Sequence, residues 1–145
     1  MDYPVTYHRK VRFSDSDAQG IVFNANYLTY IDDAISDYFD LLEVDWNGMN
    51  ERGLDIVLGR AELDYRSSGR KGETLITGVR VASIGTSSVV FEITIWEEQS
   101  QRVVVEGREI QVMVDRDTFE TTPVPPWFVA VIEKLQGPVE WKARP

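Results

Sequence analysis

The chain has 145 residues, no cysteine and a single histidine. Without cysteine there can be no disulfide, no thiolate zinc site and no cysteine nucleophile. One imidazole, His8, cannot build a metal site alone, so no metal is expected. Basic residues are also few: 15 Lys and Arg stand against 24 Asp and Glu, a formal net charge of −9. Binding nucleic acid requires a basic face to neutralise phosphates, so no nucleic-acid partner is expected. No apolar run approaches the ~20 residues that cross a bilayer. The first ten residues lack the apolar core of a secretory signal. These absences predict a protein without a membrane span and a cytoplasmic location. Repeats, low-complexity tracts and a composition break are missing too. Hydrophobic residues make up 43% of the chain and aromatics 11%. That is enough for one well-formed core, and a single domain over residues 1–145 is expected.

The most informative stretch runs from Phe13 to Phe39. Two aspartates, Asp15 and Asp17, open a polar turn that closes at Gly20. An amide-rich segment with Asn24 and Asn26 follows. From Tyr27 apolar residues recur at Tyr27, Leu28, Ile31, Ala34, Ile35, Tyr38, Phe39 and Leu42. That is the spacing of one buried helix face, and it predicts a helix from about Asn26 to Glu43. A carboxylate loop feeding a helix N-terminus joins an anion to free N–H groups at the positive end of the helix dipole. The plain alternative is that Asp15 and Asp17 are turn residues and Asn24 or Asn26 an N-cap. Asp32, Asp33, Asp37 and Asp40 fall mainly on the less apolar side of the helix, as a solvated edge would; the alternative for Asp37 and Asp40 is a carboxylate facing a pocket across the helix surface.

The rest of the chain reads as strands. Tyr3, Val5, Tyr7, Val11 and Phe13 alternate with polar residues, with Arg9 interrupting the apolar side and His8 on the polar one. Leu42 to Asn50 reads as an exit from the helix, with Gly48 as a break. From Leu54 the period is two: Val57, Ala61, Leu63 and Tyr65 share a face, then Leu75, Val79 and Val81, then Val89, Phe91, Ile93 and Ile95. Arg102 to Val114 is a long last strand. Polar turns at Ser67–Gly72, Gly85–Ser88 and Glu97–Gln101 separate them. Pro126 can start a short helix carrying Trp127, Phe128, Val131, Ile132 and Leu135 and ending near Gly137. One strand, a long helix and four strands predict an α+β architecture with an antiparallel sheet wrapped on the helix.

The run D-S-D-A-Q-G-I-V-F-N-A-N-Y, Asp15 to Tyr27, resembles the signature segment of the hotdog-fold acyl-CoA thioesterases of the 4-hydroxybenzoyl-CoA thioesterase type. The likeness lies in Asp15, Asp17, Gly20, Val22, Asn26 and Tyr27, and the order of elements fits over nearly the whole chain. It implies a hotdog fold and hydrolysis of an acyl-CoA thioester, with coenzyme A as part of the substrate and no separate cofactor. In the family pattern the second aspartate is the reactive one. Asp17 is therefore expected as nucleophile or general base, with Asp15 and Asn26 supporting the loop. Backbone amides around Phe23 to Ala25, including those of Asn24 and Ala25, would hold the oxyanion. Gly20, Phe23, Tyr27 and Tyr30 are candidate substrate contacts, although core packing is the competing role for the aromatics. Arg66, Arg70 and Lys71 form a basic cluster that could meet the phosphates of coenzyme A. The resemblance also implies a homodimer or homotetramer, with sites at the dimer seam.

One departure matters. Where one branch of the family has a histidine before A-N-Y, this chain has Asn24, which cannot take a proton. Two other functions compete: a dehydratase or hydratase on the same fold, which would use a histidine with an acidic partner, and an acyl-binding module without turnover.

Overall fold

The computed structural model describes residues 1–145. Strand β1 (Val5–Lys10) leads through a 3-10 turn at Phe13–Asp15 to helix α1 (Asn26–Leu41) and a short helix α2 (Trp46–Glu51). Strands β2 (Leu54–Tyr65), β3 (Thr74–Ile84), β4 (Ser88–Glu97) and β5 (Val103–Asp115) follow. Helix α3 (Pro126–Gln136) and a two-residue strand β6 (Glu140–Trp141) complete the chain. The sheet order is β1-β3-β4-β5-β2, all antiparallel, with β6 added parallel to the end of β3.

α1 lies on the inner face of the sheet. Ile31, Ala34 and Tyr38 are fully buried, as the helical period requires. Opposite them, Val89, Phe91, Ile93 and Ile95 of β4 are equally sealed, and Phe91 meets Tyr38 edge-to-face at 5.4 Å. α3 closes one end. Its Gln136 accepts from the Tyr38 hydroxyl at 2.6 Å and pairs with both the N–H and the C=O of Val81. The coverage is uneven, however. α1 packs on β1 and β3, while the inner face around Glu109 and Gln111 of β5 and Ile56 and Leu58 of β2 borders an open cleft.

Three local expectations are corrected. Phe13 does not continue β1: the chain turns at Phe13–Asp15, and its ring is 80% exposed. Gly48 does not break an exit segment but lies inside α2, where the Asp45 N-cap carboxylate accepts from its N–H at 2.9 Å. Val57 does not share a face with Ala61, Leu63 and Tyr65. The pairing slips between Leu58 and Arg60, so Gly59 is an extra residue and the inward set runs Ile56, Leu58, then Ala61, Leu63, Tyr65. A side chain at Gly59 would press on Val112 Cγ2 at 2.9 Å and on the Ile110 carbonyl at 3.3 Å.

Candidate active site at the mouth of helix α1

The two aspartates of the loop have different surroundings. Asp15 is buried, and its carboxylate accepts from Arg9 Nη2 at 2.8 and 3.1 Å and from the Arg12 N–H at 2.8 Å. Burial pushes its pKa up, but the Arg9 guanidinium and the Arg12 amide outweigh it and hold the group below the ordinary carboxylate range. Its backbone carbonyl accepts from the Phe23 N–H and from Asn26 Nδ2, both at 2.9 Å. Asp15 thus fastens β1, the loop and the first residue of α1 together.

Asp17 sits at the turn. Its N–H donates to the Ile21 carbonyl at 2.9 Å, and its own carbonyl accepts from Gly20 N–H at 3.0 Å. Gly20 takes φ 77°, a left-handed conformation that glycine adopts without strain. One carboxylate oxygen, Oδ1, accepts from the Gln19 N–H at 2.8 Å, while Oδ2 has no partner in the chain. The side chain is half-buried. A Ser16–Val22 bridge holds the two arms of this small hairpin side by side and leads directly to the helix mouth.

At that mouth Phe23 donates its N–H to Asp15, so it is not available as an oxyanion donor. The N–H groups of Asn24 and Ala25 have no acceptor in the chain. Neither asparagine is the N-cap. Ala25 occupies that position, with no side-chain cap bond and no acidic residue in the first turn. The Asn26 N–H donates to the Phe23 carbonyl at 2.8 Å, so the Asn24 and Ala25 amides just before it are the ones left without a partner at the positive end of the helix.

Tyr27 and Tyr30 are 3% exposed, in the core rather than along an open slot. The Tyr27 hydroxyl accepts from the Gly69 N–H at 3.0 Å, and the Gly69 carbonyl accepts from the Val22 N–H at 2.9 Å. These bonds and an Ile21–Arg70 bridge bring the Ser67–Gly72 loop against the carboxylate loop. Tyr30 stands over Arg9 near Asp15, and burial followed by the Asp15 charge raises its pKa. Phe23 is the one aromatic of the set left exposed here.

The basic cluster is divided. Arg66 follows the strand alternation to the outer face of the sheet, where it pairs with Glu106 at 2.9 Å and Asp64 at 3.5 Å. Arg70 and Lys71 remain exposed on the loop beside the hairpin, with Lys71 Nζ 5.6 Å from the Phe13 ring centroid. Arg102 was missed in the sequence: it braces the loop through the Ser68 carbonyl at 3.0 Å and both oxygens of Glu73.

Beyond the mouth, α1 and the open half of the sheet enclose a cleft of about 780 Å³. Leu28, Ile35 and Phe39 of α1 face Ile56 and Leu58 of β2 across it. No group of three or more His, Asp or Glu side chains is gathered to hold a metal ion.

The profile of the thioesterase-like superfamily matches residues 11–132, most of the chain. The chain belongs to this superfamily. That membership puts it among the thioester hydrolases. The 1,4-dihydroxy-2-naphthoyl-CoA hydrolase of Thermosynechococcus vestitus is 25% identical over 132 residues, 88% of this chain and 90% of that one. A shorter match, 35% identical over 63 residues, joins 43% of the chain to 49% of an esterase candidate from Aquifex aeolicus, so that match spans about half the length of that relative. A Thermus thermophilus thioesterase crystallised with coenzyme A and zinc superposes with a TM-score of 0.80 at 27% identity, covering 94% of this chain and 96% of that one. The fold of the chain is thus the hotdog fold, an antiparallel sheet wrapped on α1.

Proposed function

We propose that the chain is an acyl-CoA thioesterase, of the 4-hydroxybenzoyl-CoA thioesterase type in its signature loop, working from Asp17. One observation carries the proposal: a carboxylate with an unengaged oxygen stands in the same small hairpin that ends at two unpartnered helix N-terminal amides. Thioester hydrolysis needs an oxygen nucleophile or base and donors for the oxyanion that develops on the carbonyl. Attack by Asp17 on the carbonyl carbon would form an anhydride and expel the coenzyme A thiolate, after which water would cleave the anhydride to release the acid. Alternatively Asp17 would take a proton from a water that attacks directly. In both routes the Asn24 and Ala25 amides receive the negative charge. Arg70 and Lys71, held beside the hairpin, would meet the phosphates of coenzyme A.

The acyl group would lie in the cleft along α1. That cleft lacks a wall, and β2 is a free sheet edge carrying exposed Val57, Leu58 and Tyr65. An exposed edge of this length is normally covered. A second copy pairing along β2 would cover it, giving a homodimer with two sites at the seam; doubling to a tetramer keeps the same seam. Sedimentation at micromolar concentration should show no monomer of the 16.6 kDa chain. The deciding assay is free-thiol release from a panel of acyl-CoA thioesters. Turnover supports the reading, and binding of acyl-CoA without thiol release contradicts it. A hydratase reading has no support in the geometry, since His8 lies exposed beside Glu98 at 3.5 Å on the far side of β1.

A further inference from the structure

The cleft has a polar floor that chemistry at the helix mouth does not use. Glu109 and Gln111 project from β5 on the inner face of the sheet, opposite Ala61 and Leu58 of β2. Glu109 is 4% exposed. Its Oε1 accepts from Gln111 Nε2 at 3.2 Å, and its Oε2 has no partner in the chain. No Lys, Arg or His lines the cleft; the charged groups there are Asp32 and Asp40 of α1 and Glu109 itself. Burial, then the Asp32 charge, pushes the Glu109 carboxyl up to about 7, with the Gln111 bond pulling the other way. A buried acid without a cation or a full set of hydrogen bonds is costly to keep. Here it borders open space large enough for a ligand.

The position along α1 says which part of a ligand would arrive there. Ala25, at the mouth, and Asp32, beside Glu109, are seven residues apart in sequence, about 10 Å along a helix axis and roughly the span of an eight-carbon acyl chain. An acyl group whose carbonyl is held by the mouth amides and whose tail follows α1 would bring its distal end to Glu109. A hydroxyl there can donate to the free carboxyl oxygen. A methyl leaves that oxygen unpaired, and a carboxylate adds a further negative charge to Asp32 and Glu109.

We infer that Glu109 is a specificity-determining residue that reads the distal end of the acyl group, favouring chains that carry a hydroxyl there over plain alkyl chains and over chains that end in a carboxylate. The inference rests on the thioesterase reading and assigns a substrate class to the same site.

The test compares 8-hydroxyoctanoyl-, octanoyl- and octanedioyl-CoA as substrates of the full chain, by kcat/KM from thiol release. Wild type should prefer the hydroxylated chain over octanoyl by about tenfold or more, with octanedioyl the poorest. Glu109→Leu should bring octanoyl level with or ahead of the hydroxylated chain. The near-isosteric Glu109→Gln should retain part of the hydroxyl preference and improve on octanedioyl, and it decides the matter if the leucine variant fails to fold. Titration calorimetry with the non-hydrolysable thioether analogues should give the same order. A wild-type ratio within twofold, or an order that Glu109→Leu leaves unchanged, overturns the assignment of Glu109 while turnover itself stands. No thiol release from any thioester overturns the thioesterase reading and this inference with it.

Discussion

The two halves of the sheet's inner face are built for different purposes. Over β1, β3 and β4 it is sealed by α1 and α3: Val79, Val89, Phe91, Ile93 and Ile95 are at most 1% exposed. Over β5 and β2 the same face carries Glu109 and Gln111, a bulge at Gly59 and a half-exposed Leu58, and it opens into the cleft. The closed half resembles any well-packed domain core, where apolar burial dominates stability. The open half places polar groups where burial is costly and leaves them incompletely paired. Such local violations of packing rules are what binding sites tend to show. The carboxylate loop is tied to β1 through Arg9 and to the Ser67–Gly72 loop through Tyr27 and Gly69, so under the proposed function the closed side would hold the loop while the open side would receive the ligand.

Substitutions can separate the halves. Phe91→Ala, in the closed half, should have the largest effect, a loss of about 3–5 kcal/mol in denaturant unfolding. A loss below ~1 kcal/mol would mean that the closed half is not the stabilising one. At the boundary, Asp15→Asn removes the charge that Arg9 and the Arg12 amide engage. It should cost about 1.5–3 kcal/mol at neutral pH and lower activity along with the melting temperature. Because the Asp15 pKa is depressed in the folded state, its contribution is present above the unfolded-state value and is lost as pH falls through the folded one. The gap between wild type and Asp15→Asn should therefore close in acid.

Glu109, in the open half, has the opposite sign. Its folded pKa is raised from 4.5 to about 7. Relative to a neutral side chain, wild type holds its full stability below the unfolded value and loses it as pH rises through about 7. Glu109→Gln should match wild type near pH 4 and exceed it by about 1–3 kcal/mol at pH 8. Parallel stability profiles for the two proteins would show that the floor of the cleft is not under electrostatic strain.

The sequence exposed the closed half better than the open one. The alternation of Val89, Phe91, Ile93 and Ile95 marks β4 directly, and the apolar period of α1 marks its buried side from Tyr27 to Phe39. The open half hides because its signals are irregular. The bulge at Gly59 shifts the parity of β2, so Val57 has the parity of Ala61 in the sequence while Ile56 and Leu58 are the inward residues. α2 is only six residues long and contains Gly48, which masks a helix whose N-cap, Asp45, was readable. Arg66 lies one residue outside the loop that carries Arg70 and Lys71, and strand alternation sends it to the other face. Two useful signals were present. Arg9 on the apolar side of β1 calls for a buried acidic partner, and Asp15 is that partner. Glu109 and Gln111 share parity with the buried Val105 and Met113, which places two polar side chains on an inward face. The exposed amides at the mouth have no sequence signature, because they depend on Phe23 being bound to Asp15 and on Ala25 standing at the N-cap.

The central claim is that Asp15 holds the loop while Asp17 reacts, and one paired measurement tests it. Thermal melting and kcat from thiol release are determined for wild type, Asp17→Asn and Asp15→Asn on the same acyl-CoA. Asp17 accepts one local hydrogen bond, from Gln19, which asparagine can keep. Asp17→Asn should therefore melt within a few degrees of wild type yet lose about 10²-fold or more in kcat, while Asp15→Asn should lose melting temperature and kcat together. A nearly active Asp17→Asn beside a dead Asp15→Asn of unchanged melting temperature would contradict the account.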